Sequence, residues 1–198
     1  MPKQVDHESR RRQIAEAVCQ LADESGLEGV TLRDVAARAQ VSMGAVQRCF
    51  GTKEEMLVFA LGHVGEQVAG RLSARLTASP AQSAQSARTA LGHAASEVSL
   101  VQEEQRAEAR VWLAFAAQAA VSPSLAEILR SNYADLHKVF AQLITEGCDT
   151  PDPERAARTL LALADGLTTH VLIGHLSPTA ALDVLDGHLN QLWNERAS

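Results

Sequence analysis

Residues 31–57 read TLRDVAARAQVSMGAVQRCFGTKEEML, and few folds accommodate this stretch. Thr31 is placed to cap a helix, with Asp34 three residues on positioned to reach back to the cap's own N–H. Leu32, Val35, Ala36 and Ala39 then recur at the spacing of one helical face. The run stops at Gln40-Val41-Ser42, where Ser42 can cap a second short helix holding Met43, Gly44, Ala45, Val46, Gln47 and Arg48. Thr52 and Glu55 repeat the capping-box spacing and open a third helix. A capped helix, a turn of a few residues and a second short helix make a helix-turn-helix, in which the second helix enters the DNA major groove.

The rest of the chain has to be consistent with that reading. Its 198 residues allow one large domain or two modest ones with a real core. Aromatics make up 4%, and no strand-like alternation is present, so the expected fold class is all-α. The net charge of −6 excludes a protein that coats nucleic acid wholesale. Residues 1–60 nevertheless carry 8 Lys and Arg against 9 Asp and Glu, with the cations clustered at Arg10, Arg11, Arg12, Arg33, Arg38, Arg48 and Lys53. Such a set suits a site-specific binder, because phosphate contacts position a protein and base contacts specify the sequence. Cys19, Cys49 and Cys148 form no CxxC pair and have no His partners at metal spacing. No signal peptide and no run of ~18 apolar residues is seen, which predicts a reduced, cytoplasmic protein without a membrane partner. The sequence lacks G-x-S-x-G, H-E-x-x-H, a P-loop and any Glu followed by His three residues on. No enzyme, cofactor or metal is expected.

Taken in order, residues 1–8 read as an arm and helix 1 as running from about Ser9 to Ser25, with Gly26 as its C′ residue. Arg10, Arg11 and Arg12 either reach the DNA backbone or form a solvated first turn. Helix 4 is expected over Lys53–Leu76, a loop over Thr77–Arg88, and helices over Ala84–Val101, Glu104–Ala120 and Pro123–Glu146. Asp152 and Pro153 cap and start a helix reaching Gly174, and Ser177-Pro178 starts a ninth reaching about Glu195. Residues 1–52 then form a helix-turn-helix domain and 53–198 a helical domain. Arg33, Ser42, Met43, Gly44, Ala45, Gln47 and Arg48 are candidates for reaching bases or nearby phosphates, since Gln pairs with adenine and Arg with guanine. Lys53 opposes the dipole at a helix start, and a phosphate would explain it. Val46 and Phe50 read as core. The alternative is a helical module that uses the same motif for protein contact.

T-L-R-D-V-A, V-S-x-G-A-V and F-G-T-K-E-E-M-L, in this order and spacing, resemble the tetracycline-repressor (TetR) family of bacterial regulators. The resemblance covers about Ser9–Leu61 in detail. One departure is informative: Gln47-Arg48-Cys49 stands where the family carries aromatic residues and then His or Tyr before the Phe. The family's phosphate contacts from those residues do not transfer, and Gln47 and Arg48 are their polar replacements. The resemblance implies a repressor that binds palindromic double-stranded DNA as a homodimer and is released by a small-molecule effector. It also implies that the effector lies among helices 4–8, where His93, Trp112, Phe115, Tyr133, His137, Phe140 and His170 could line a pocket.

Near the end of the chain, Leu182, Leu185, Leu189 and Leu192 recur at spacings of three and four, joined by Leu160, Leu163, Leu167 and Val171 one helix earlier. Gly166 and Gly174 are small enough to let another helix approach. This seam is either the dimer interface or a face packed on helices 5–7 of the same chain.

Overall fold

In a computed structural model that describes residues 2–78 and 83–194, with side chains from His7 onward, every regular element among the described residues is helical. The helices are α1 (Pro2–Ser25), α2 (Leu32–Arg38), α3 (Met43–Cys49), α4 (Lys53–Ala78), α5 (Ala84–Val98), α6 (Arg106–Ala119), α7 (Pro123–Gly147), α8 (Pro153–Leu172) and α9 (Pro178–Asn194), with a short 3-10 turn at Glu103–Gln105. The expected arm is therefore helical from Pro2 on, and only Met1 of it lies outside the described residues. The loop expected over Thr77–Arg88 is shorter: α4 continues to Ala78, Ser83 caps α5, and residues 79–82 lie outside the described set. The expected helix end at Glu195 also lies outside it.

Two compact units result, one of Met1–Gln67 with Arg110–Asn132, the other of Val68–Ala109 with Tyr133–Ser198. In the first, α1, α2 and α3 pack on one another around Ile14, Val18, Val30, Val35, Val46 and Phe50. Met56, Leu61, Phe115 and Leu125 complete the same core. Gly26 ends α1 at φ +70°, as its place in the sequence implies, and its N–H bonds Ala22 O at 2.9 Å.

The capping boxes differ from expectation in one detail. The Asp34 N–H does bond Thr31 Oγ1, at 3.2 Å, but the Asp34 carboxylate accepts from the Thr31 hydroxyl at 2.6 Å rather than from its N–H. The Glu55 carboxylate likewise passes over Thr52 and accepts the Gly51 N–H at 2.8 Å. In both cases the acid bonds a donor other than the cap's own amide.

In the second unit α5, α8 and α9 pack on one another, with Leu91, Phe140, Ile144, Leu160, Leu185 and Leu189 fully buried. Helix α5 stops three residues before its expected end, because Leu100 turns left-handed at φ 46°. The buried Thr168 hydroxyl donates to Ser99 O at 2.5 Å and holds that turn. The Arg88 guanidinium donates to Gly147 O at 2.6 Å and Trp193 O at 3.3 Å, tying α5 to the ends of α7 and α9.

Candidate nucleic-acid interface

Helix α3 has seven residues, and its two faces differ sharply. Ser42 caps it, accepting the Ala45 N–H at 3.2 Å. Ala45, Val46 and Cys49 point into the core, with Phe50 closing the helix behind them. Ala45 is 4% exposed, so it drops out of the set expected to reach DNA: it sits on the inward face, between the cap and Val46. Ser42, Met43, Gln47 and Arg48 are exposed, and Gly44 lies between them and the core. Met43, at 41% exposure, is a large apolar side chain left in solvent at the start of the helix. The Arg48 guanidinium lies over Gly44, where an added Cβ would meet its Nη1 at 3.5 Å, an ordinary contact.

The helix before it is held in register by three bonds. Gln13 Nε2 donates to Ala39 O at 2.8 Å, and Val41 N–H bonds Ala36 O at 3.0 Å. Gln40 makes the turn itself, at φ 54°, with its N–H on Ala37 O at 3.1 Å. A left-handed non-glycine residue here is the cost of fitting the tight turn.

The clustered cations separate into committed and uncommitted ones. Arg38 forms a bidentate pair with Glu24, at 2.9 and 2.6 Å. That hydrogen bond lowers the Glu24 pKa and raises that of Arg38. Arg12 pairs with Glu8 at 2.7 Å. The Lys53 ammonium donates to Leu27 O at 3.3 Å, so the α1–α2 loop supplies a partner that the sequence did not suggest. The Arg11 guanidinium lies over the Phe50 and Phe59 rings, 4.7 and 4.4 Å from their centroids. Arg33 and Arg48 are exposed and carry no ion pair among the described residues. Arg33 stands in the first turn of α2, where a positive charge opposes the helix dipole unless an anion lies nearby.

The residues expected to line an effector pocket fall in different places. Trp112 is half-buried and Phe115 fully buried, both in the first unit, with Phe115 inside its core. In the second unit His170 is exposed and stacks edge-on against His175, with ring centroids 4.9 Å apart. His137 Nε2 lies 3.0 Å from Glu154 O, and Phe140 is core. The Tyr133 hydroxyl donates to Asp165 Oδ2 at 2.6 Å. Burial pushes the Asp165 carboxyl up to about 6, against the lowering effect of the Tyr133 bond.

Exposed His93 lines a cavity of about 460 Å³ with Arg71, Arg75, Glu97 and Glu108. There the buried Glu97 receives Arg71 at 2.6 Å and Arg75 at 3.0 Å, and Arg71 also reaches Glu108 at 2.5 Å. Burial lowers the Arg71 pKa, but its bonds to Glu108 and Glu97 outweigh this and raise it. Sequence reading missed this cluster because its members lie on three separate helices.

The leucine seam is covered by its own chain. Leu160, Leu185 and Leu189 are at most 1% exposed, Leu167, Leu192 and Val171 at most 6%, and Leu163 and Leu182 half-buried. Helix α5 packs on both α8 and α9 and supplies the surface that closes the seam. Gly174 has φ +73° and ends α8, so its missing side chain serves the turn rather than a close helix approach.

Residues 14–58 match the family described as "Bacterial regulatory proteins, tetR family". Residues 87–194 match the "BetI-type transcriptional repressor, C-terminal" family. The chain is 33% identical over 201 residues to the HTH-type transcriptional regulator BetI of Burkholderia mallei, covering 99% of this chain and all of that one. It is 32% identical to the regulator PksA of Bacillus subtilis, over 87% of this chain and 83% of that one. Among solved structures, a transcriptional regulator from Rhodococcus sp. RHA1 superimposes with a TM-score of 0.82 at 36% identity, over 92% and 95% of the two chains. A regulator from Saccharomonospora viridis, solved in complex with choline, superimposes with a TM-score of 0.78 at 25% identity, over 93% and 95%.

Proposed function

This chain belongs to the tetR family of bacterial regulatory proteins, and on that premise we propose how it acts. It is a transcriptional regulator of the helix-turn-helix kind, with a BetI-type repressor C-terminal region, and not an enzyme. Residues 1–52 are its DNA-binding domain, and it works in the cytoplasm on a palindromic operator. The observation that carries this reading is the outer face of α2 and α3, where Arg33 and Arg48 stand uncommitted while their neighbours are paired. Arg48 and Gln47 read base edges, Met43 packs on thymine methyl groups, and Arg33 and the Ser42 hydroxyl take phosphates. Gly44 leaves room for the duplex backbone. A gel shift with the DNA upstream of its own gene tests the reading. A protein that shifts no fragment at micromolar concentration would return the motif to protein contact.

The protein acts as a homodimer through the outer faces of α8 and α9, not through the leucine seam. Ala162, Gly166, Val184 and Gly187 are exposed there, and a Cβ added at either glycine meets nothing within 4 Å. Val184 at 45% and Ile173 at 69% are large apolar side chains left uncovered by the single chain.

The effector is a small organic cation of the choline type. Two things support this: the Saccharomonospora viridis relative was solved with choline, and the Asp165 carboxylate, which accepts the Tyr133 hydroxyl, has no cationic partner among the described residues. A partly buried carboxylate without a cationic partner attracts a positive charge, and aromatic ring faces bind quaternary ammonium groups. Helix α4 is unbroken over 26 residues, so a change in its tilt is felt along its length. The effector can shift that equilibrium only by its differential affinity for the two states. Choline should weaken operator binding and raise the melting temperature, while neutral 3,3-dimethylbutanol should do neither. Equal effects of the two compounds would remove the cation from the reading.

A further inference from the structure

Arg11 belongs to α1, yet its side chain contacts both ends of the α3–α4 junction. Its guanidinium carbon is 4.7 Å from the Phe50 centroid and 4.4 Å from that of Phe59, and the two rings are 5.5 Å apart at 55°. Its Nη2 is 3.6 Å from Glu55 Oε1, and the other oxygen of that carboxylate receives the Gly51 N–H at 2.8 Å. Its Nε is buried and bonds nothing among the described residues. A buried N–H without an acceptor is costly, so the ring faces and Glu55 have to outweigh it.

Phe50 is the C-cap of α3, and its N–H closes the helix on Val46 O at 2.9 Å. A helix of two turns has its direction set by what holds its two ends. Ser42 and the Gln40 turn hold the first end, and Arg11 clamps the second through Phe50 and Glu55.

We propose that Arg11 is a positioning residue for DNA recognition. It fixes the exit of the recognition helix by stacking on Phe50 and Phe59, and it does not contact phosphate. This rests on α3 being the DNA reader, and the test separates the two ideas.

The full-length protein and its Arg11→Met, Arg11→Lys and Arg48→Ala variants are titrated on a selected operator and on unrelated DNA over a range of salt. Melting curves establish that each variant is folded at the assay temperature. Arg11→Met should lose about tenfold in operator affinity with the log–log salt slope unchanged, so the ratio of operator to unrelated binding falls. Arg11→Lys keeps the charge but lacks the planar group, and should not rescue the operator affinity.

A phosphate contact would behave in the opposite way. Binding to both DNAs would fall together, the slope would drop by about one, and Lys would rescue; that result overturns the proposal. Folded Arg11 variants with parental operator affinity also overturn it. Should Arg11→Met not fold, Glu55→Gln removes only the ionic side of the clamp and should lower the operator ratio in the same direction. An unchanged ratio in that variant would sink the proposal. A parent protein and Arg48→Ala that bind all DNA alike would instead remove α3 as the reader, a failure of the earlier reading rather than of this one.

Discussion

At the scale of single residues, one left-handed glutamine and two uncommitted arginines carry the sharpest expectations. Gln40 is exposed at φ 54° and shows no side-chain bond among the described residues, so its backbone strain has no visible compensation there. Gln40→Gly removes that strain at some cost in unfolded-state entropy, and should stabilise the protein by about 0.5–1 kcal/mol. Urea unfolding at a single pH measures this, and no gain would mean that the Gln40 side chain holds the turn. Arg48→Ala should cost ~1–3 kcal/mol on the operator and relax the sequence preference at one position. Arg33→Ala should weaken every DNA alike and lower the salt slope by about one. Identical salt slopes in the Arg33 variant and the parent would show that no phosphate meets this residue.

At the scale of helices, the pair α7 and α8 is joined by the bond from Tyr133 to Asp165. The Asp165 carboxyl titrates near 6 in the folded protein against an ordinary 3.8. The native state therefore binds more protons than the unfolded chain between those values, and stability falls as pH rises through that window. The loss is on the order of 3 kcal/mol and persists above pH 6. Asp165→Asn keeps an acceptor for Tyr133 and removes the buried charge, so it should melt higher than the parent at pH 7.5 but not at pH 4. If the effector is a cation, the same variant should lose its response to choline. A variant no more stable at pH 7.5 would mean that Asp165 has a partner in solution.

These elements also show what sequence could and could not say. Thr31, Ser42 and Asp152 cap their helices because each signal is local, a side chain three residues from its target, and Gly26 ends α1 because a left-handed residue is an equally local signal. The inward turn of Val46 and Phe50 was legible for the same reason. Lys53 could not be read, since its partner is a carbonyl 26 residues away. Nor could the fate of the leucine seam. Spacing marks an apolar face but not its cover, and the cover came from α5, whose buried face is made mostly of alanines.

At the scale of the whole molecule, burial of that seam changes how a dimer is tested. Leu185→Glu would place a charge at a site 1% exposed inside one chain, and should unfold the protein rather than split it. Gly187→Glu on the outer face adds charge where there is open space, so it should give folded monomers that bind the operator poorly. Light scattering beside a melting curve distinguishes the cases, and a dimeric Gly187→Glu would move the interface off this face.

The pairing of Arg12 with Glu8 and of Arg38 with Glu24 has a consequence for target search. A binder that slides along chromosomal DNA does so on loose, sequence-blind attraction to phosphate. Here Arg12 and Arg38 are each paired with a carboxylate, and the molecule as a whole carries −6. Random duplex should therefore hold such a protein weakly, which titration on unrelated DNA over a range of salt would report. Occupancy of one site depends on the ratio of operator to random binding summed over the genome, so weak random binding leaves more of a small pool free for the operator.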